Sequence, residues 1–287
     1  MTTSAIPRAP LAVRTFLVRG LVAGLLAGFA AFAVAYVVGE PPVDSAIQIE
    51  ESGSAAAPAE TEAHSHAEGT EAHSHDEGAA TAGHSHGDDA VVSRGEQATG
   101  GLLTATVVFG TALGGVVGVV TAFATGRLGR FGPAASAGVV TGLGFLAYYL
   151  VPYTKYPPNP PAVGSGDTIG ARTADYFSMV VVSVVAVVAA VAVARAIAAR
   201  RGAFTGIAVA ALGYVVVVVL AGVLLRTHQE VPDTFPASLL WEFRLASLMT
   251  QAALWGVLGL VLAGLLDRDW RKAGERRDRA ELVGAGR

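Results

Sequence analysis

The sequence predicts an all-α, polytopic transmembrane helical bundle of about six spans with a disordered extracytoplasmic loop. Three observations predict it. The 287-residue chain is 52% hydrophobic and only 15% charged, too little charge for an ordinary soluble domain. Its apolar residues gather into six nearly charge-free runs, each long enough to cross a hydrocarbon core of about 30 Å at about 1.5 Å per residue. Between the first two runs lies an acidic segment rich in Ala, Gly, Ser and Thr, which buries too little apolar surface to offset the entropy of ordering.

The first run, Phe16 to Val38, carries Arg19 near its start, where a long side chain can snorkel to the headgroups. Its apolar core exceeds that of a signal peptide, so an uncleaved anchor is expected despite "AFAVA" near its end. The second and third runs are Leu102 to Ala124 and Pro133 to Val151. Gly20, Gly24 and Gly28 in the first run, and Gly110, Gly114 and Gly118 in the second, align on one face of each helix. Such faces let helix backbones approach closely, and Gly138, Gly142 and Gly144 add to them in the third run; close packing is expected, with hinges or gaps that let a transporter move as the alternative. The fourth and fifth runs, Phe177 to Ala198 and Phe204 to Leu225, have little polar chemistry and read as lipid-facing or scaffold helices. The sixth, Leu239 to Leu266, has Glu242 and Arg244 in its first turns and is uninterrupted from Leu245.

Positive charge stays on the cytoplasmic side of a membrane protein. With both termini cytoplasmic, that side holds 15 of the 20 Lys and Arg, and the outer side only Arg94, Lys155, Arg172, Arg226 and Arg244. The expected organisation is a cytoplasmic N-terminus and first helix (1–38), an extracytoplasmic His-rich loop (39–98), five further helices (99–266) and a basic cytoplasmic tail (267–287). The location is the inner cell membrane, with the bilayer as the surrounding partner and no nucleic-acid partner. Cysteine is absent, which removes disulfides and thiolate chemistry. There is no G-x-x-x-x-G-K-[ST] phosphate loop, so any driving energy comes from a gradient, the membrane potential or another subunit. No nucleophile–base arrangement is visible either, and the chain is not expected to be an enzyme.

The outer loop has a formal charge of −12, from 13 acidic residues against Arg94, and it holds imperfect repeats of about nine residues, "TEAHSHAEG", "TEAHSHDEG" and "AATAGHSHG". These place His64 with His66, His73 with His75, and His84 with His86. In an extended chain, residues i and i+2 point the same way, so each pair can grip one ion. Imidazole suits zinc, copper, nickel and cobalt, with affinity rising from cobalt through nickel to copper, and the nearby carboxylates add oxygen ligands or attract cations. A captured or transported divalent ion is therefore expected, with no permanently bound cofactor. Among ionisable residues near the helix ends, His228, Glu230 and Glu242 are candidates for permeation or secondary metal contacts. Arg226 and Glu230, four apart, equally fit an ordinary ion pair.

The proline-rich "KYPPNPPAVG" cannot continue a helix. Lys155, Tyr156, Pro157, Pro158, Pro160 and Pro161 therefore fit a rigid outer cap, a partner-docking surface or a plain connector.

Several outer-loop stretches in order, "GEPPVDSAIQIEE", "VVSRGEQATGGLLTATVVFGTALGG", "LVPYTKYPPNPPAVGSGDTIGARTADYF" and "VPDTFPASLLWEFRLASLMTQAALWGVLG", resemble the CbtA family of cobalt transporter subunits in its actinobacterial form. The resemblance implies cobalt as the ion, uptake linked to cobalamin supply, and a small CbtB-type membrane partner with one span and its own histidines. It also implies five spans where six are counted here. Five would put the basic tail outside, against its charge. The reading that results is a membrane subunit of a divalent-metal importer; the alternative is a metal-binding membrane protein that does not conduct, serving in sensing, delivery or assembly.

Overall fold

A computed structural model describes residues 11–56, 93–129 and 131–285. Among them the secondary structure is helical: α1 (Val13–Val34), α2 (Glu40–Ala56), α3 (Arg94–Glu96), α4 (Leu102–Ala124), α5 (Pro133–Gly144), α6 (Val151–Lys155), α7 (Ile169–Arg201), α8 (Ala203–Leu224) and α9 (Ala237–Ala285). Six continuous helical stretches are long and apolar enough to cross a membrane: Val13–Ser52, Arg94–Ala124, Pro133–Lys155, Gly166–Arg201, Ala203–Leu224 and Ala237–Gly284.

The tightest contact is between α1 and α4. A Cβ built on Gly24 would stand 2.1 Å from the Gly110 carbonyl oxygen, and one on Gly114 would stand 2.3 Å from that of Gly20. Both backbones are therefore in van der Waals contact, which only a column of glycines permits. Glycines in α5 behave differently from expectation. Gly138 and Gly142 face open space, and only Gly144 is fitted closely, under the Trp255 ring. Small-residue spacing shows which helix face is smooth, but not whether another helix reaches it.

The core lies where α9 crosses α1, α4 and α5. Leu254, Leu258, Leu262 and Leu266 recur every fourth residue on one face of α9 and are almost fully buried with Phe16, Ala23, Ala27, Val117 and Ala137. At the end of this interface Arg19 donates two bonds to Asp269, at 2.7 and 3.1 Å. Buried threonine hydroxyls, such as Thr121 and Thr141, donate to carbonyls one turn back in their own helices, so their donors are already used.

A single residue, Gly202 at φ +89°, joins α7 to α8. Most side chains cannot adopt that φ without strain. The α8 helix rests on α7 through Gly206, Ala210 and Tyr214, whose hydroxyl pairs with Ser183 at 2.8 Å. Val218 and Ala221 add to this contact, and most of the other residues of α8, including Ile207, Leu212 and Val223, are exposed, as a lipid-facing helix requires.

Helix extends past two expected element ends. The segment assigned to an outer loop from residue 39 is helical through Ala56, and helix resumes at Arg94. Pro41 and Pro42 lack N–H donors, yet the chain runs through them because a π-helical turn, Ala35–Gly39, directly precedes them and realigns the backbone bonds. The segment expected as a basic tail from 267 is helical to Ala285, in one helix with the apolar part of α9. The six tract histidines lie outside the described residues.

Candidate functional site: a tyrosine- and proline-walled cavity

The α2 helix leans on the connectors at one end of the bundle, where Ala46 is buried against Val163, Phe235 and Leu239. From the other flank of the His-rich segment, Arg94 forms ion pairs with Glu40 and Asp44, the latter at 2.8 Å. A capping box made by Ser93 and Glu96 starts the helix there. Both flanks of the histidine segment are thus fixed at the end of the bundle that carries the proline-rich connector.

A cavity of about 790 Å³ opens at this end. Three rules of chain geometry build it. First, Tyr149, Tyr153 and Tyr156 fall at i, i+4 and i+7, and the π-helical turn Phe145–Leu150 leads them along one side. Second, the chain leaves helix at Tyr156, and the five residues Pro157 to Pro161 run without regular structure along the rim. Third, Arg172 and Tyr176, one turn apart on α7, form the facing wall.

Polar contacts tie these walls together. Lys155 Nζ donates to Thr227 Oγ1 at 2.7 Å, and the Tyr156 hydroxyl donates to the Arg226 carbonyl at 2.6 Å. Arg244 Nη2 donates to Asn159 Oδ1 at 3.1 Å, and the Tyr153 hydroxyl donates to the Arg244 carbonyl at 3.0 Å. The Tyr149 hydroxyl faces Ser247 but is buried without a partner of good hydrogen-bond geometry. Burial, assisted by Asp175, pushes the Tyr156 phenol above its ordinary value, so it is a neutral donor at physiological pH.

All six residues expected to form a cap or docking surface, Lys155, Tyr156, Pro157, Pro158, Pro160 and Pro161, line this cavity. His228 and Glu230 line it too, each with a partner: His228 Nε2 lies 2.8 Å from Asp175, and Glu230 lies 3.3 Å from Arg172. Glu230 is therefore paired across the cavity rather than with Arg226. The i, i+4 rule holds only in a helix, and α8 has ended at Leu224.

Glu242 is elsewhere. It is exposed on α9 and does not line the cavity, whereas Arg244, two residues on and about 200° around the helix, does. Among the described residues, no three His, Asp or Glu side chains are grouped to hold a metal ion. Tyr153, Tyr176, Asn159 and Ser247 belong to the site without having been singled out in the sequence. The Tyr149–Tyr153–Tyr156 spacing was the available signal.

The Glu230 carboxyl is held below its ordinary value of 4.5, first by the Thr168 hydroxyl, then by the Ser165 N–H and the charges of Arg172 and His228. A carboxyl lowered in this way stabilises the fold above its ordinary value, and that contribution is lost as pH falls through the lowered one. Acidification to below 4.5 is expected to free the 165–168 turn from Glu230, read as lower amide protection there relative to the unstructured exchange rate at the same pH. Glu230→Gln should be weakly protected already at about pH 6, with little further change in protection on acidification. High, unchanged protection in both proteins would remove Glu230 as the tie.

No curated protein and no solved structure matches the chain. A family model does, over residues 13–267, and its description is probable cobalt transporter subunit, CbtA. With the match running from the first residue of α1 to the last turns of the apolar part of α9, the chain belongs to the CbtA family.

Proposed function

We propose that this protein is the membrane subunit of a cobalt importer, that its extracytoplasmic histidine tract captures the ion, and that the cavity beside the tract's anchors receives it. The observation that carries the proposal is the fixing of both flanks of the tract at the cavity end, by Arg94 on Glu40 and Asp44 and by Ala46 on Val163. Metal held on His64, His66, His73, His75, His84 and His86 is thereby kept near one entrance, which raises its local concentration. The Lys and Arg distribution favours cytoplasmic termini in the inner membrane. Family membership favours a CbtB-type partner and a link to cobalamin supply. Nickel and zinc are the competing ions that imidazole would also accept.

Cobalt-57 uptake by cells carrying the full transporter tests this. Deleting residues 63–87 should lower uptake several-fold at limiting cobalt and change it little at saturation, because an antenna alters apparent affinity rather than turnover. Glu242→Gln should leave uptake unchanged, since Glu242 lies outside the cavity. Intact metal binding with no uptake at any concentration would reject conduction and favour a sensing, delivery or assembly role.

A further inference from the structure

The charges around the cavity are the wrong sign for a bare divalent cation. Lys155, Arg172 and Arg244 line it against Glu230 alone. The nearest carboxylates are already engaged, Glu230 with Arg172 and Asp175 with His228. Among the described residues, Lys155 and Arg244 form no ion pair and bond only neutral oxygens, those of Thr227, Pro158 and Asn159. A hydrated divalent ion entering here meets repulsion and no ready ligand set.

Size points the same way. A metal ion is held by ligand atoms about 2.0–2.6 Å away. About 790 Å³ instead lies within the range of small-molecule sites, roughly 300–1,000 Å³. The Tyr149 hydroxyl, on a residue only 9% exposed, lines this cavity without a hydrogen-bond partner. Two cations without ion pairs and this hydroxyl suit a ligand with several anionic oxygens, since Arg and carboxylate pair in planar, charge-assisted geometry.

We propose that the cavity takes the ion as an anionic carboxylate chelate, with Lys155 and Arg244 receiving the carboxylates. This rests on the importer reading above and specifies the form of its cargo. The metal brings its own oxygen ligands, so the protein needs none in the cavity. The histidine tract then serves to gather metal, and the cavity to select a complex.

Citrate is the probe. The full chain in lipid nanodiscs should retain carbon-14 citrate when cobalt is present, and Lys155→Gln/Arg244→Gln should retain it at least about tenfold more weakly. The charge-conserving Lys155→Arg/Arg244→Lys variant should recover most of the binding, which separates charge from folding. Cobalt-57 binding without citrate, measured on the same proteins, should be equal because it resides on the histidines. Equal citrate retention by wild type and the Gln variant, or none by either, overturns the inference. In cells, uptake from cobalt citrate supports it. Uptake from the aquo ion alone overturns it and leaves the importer reading standing. Uptake from neither form rejects the importer reading, and citrate retention then decides the cavity's ligand by itself.

Discussion

Replacing Gly114 by valine is expected to prevent α1 and α4 from packing and to abolish a monodisperse, folded protein. The first added carbon alone would sit 2.3 Å from the Gly20 oxygen and 2.6 Å from the Gly24 Cα. Both obstacles are backbone, so no side-chain rotation relieves them. Overpacking typically costs about 1–3 kcal/mol where side chains can shift, and this site belongs at or beyond the upper end. Gly24 is equally enclosed from the other helix, 2.1 Å from the Gly110 oxygen, and Gly24→Val should fail in the same way. Gly138→Val, with nothing within 4 Å, is the control and should be close to neutral. Size-exclusion profiles and thermal melts of the three detergent-solubilised variants decide this. A normal profile for Gly114→Val would mean that the two helices do not touch here.

The second large effect is expected at the proline rim. Gly164 has φ +116°, and its Cβ position lies 2.5 Å from the Arg172 guanidinium. Gly164→Ala therefore imposes a left-handed strain of about 1–3 kcal/mol. It also displaces the arginine from Glu230, 3.3 Å away, and from the Ser165 carbonyl, 3.1 Å away. The Arg172 tip can move, so the steric part is small and the loss of its partners matters more. The expected result is a lower melting temperature together with faster amide exchange across residues 156–168, while the α1–α4 contact remains protected. If exchange stays slow there, Arg172 has found equivalent partners and the rim does not depend on it.

Hydropathy made the six helices legible, and Pro133 at the first position of α5 marked one start within a residue. The glycine columns of α1 and α4 were equally readable because a four-residue spacing lies on one face of a helix. What remained hidden depends on azimuth and on long-range partners. Glu242 and Arg244 are equally deep by sequence, yet only Arg244 faces the cavity. Arg172 meets Glu230 across 58 positions, a pairing that no local rule supplies. The continuation of helix through Glu40, Pro41 and Pro42 was also illegible, because two prolines ordinarily stop a helix and the compensating π-helical turn has no sequence signature of its own.

The crossing of α1 with α9 has a consequence for the order in which this molecule is completed. Phe16, Ala23 and Ala27 leave the ribosome well over two hundred residues before Leu254, Leu258, Leu262 and Leu266, which cover part of their buried surface. Chains fold as they emerge, so α1 must wait through the synthesis of all the intervening helices for this neighbour. The Arg19–Asp269 link then ties the two helices together. The α1 face is therefore completed, rather than merely extended, when α9 arrives.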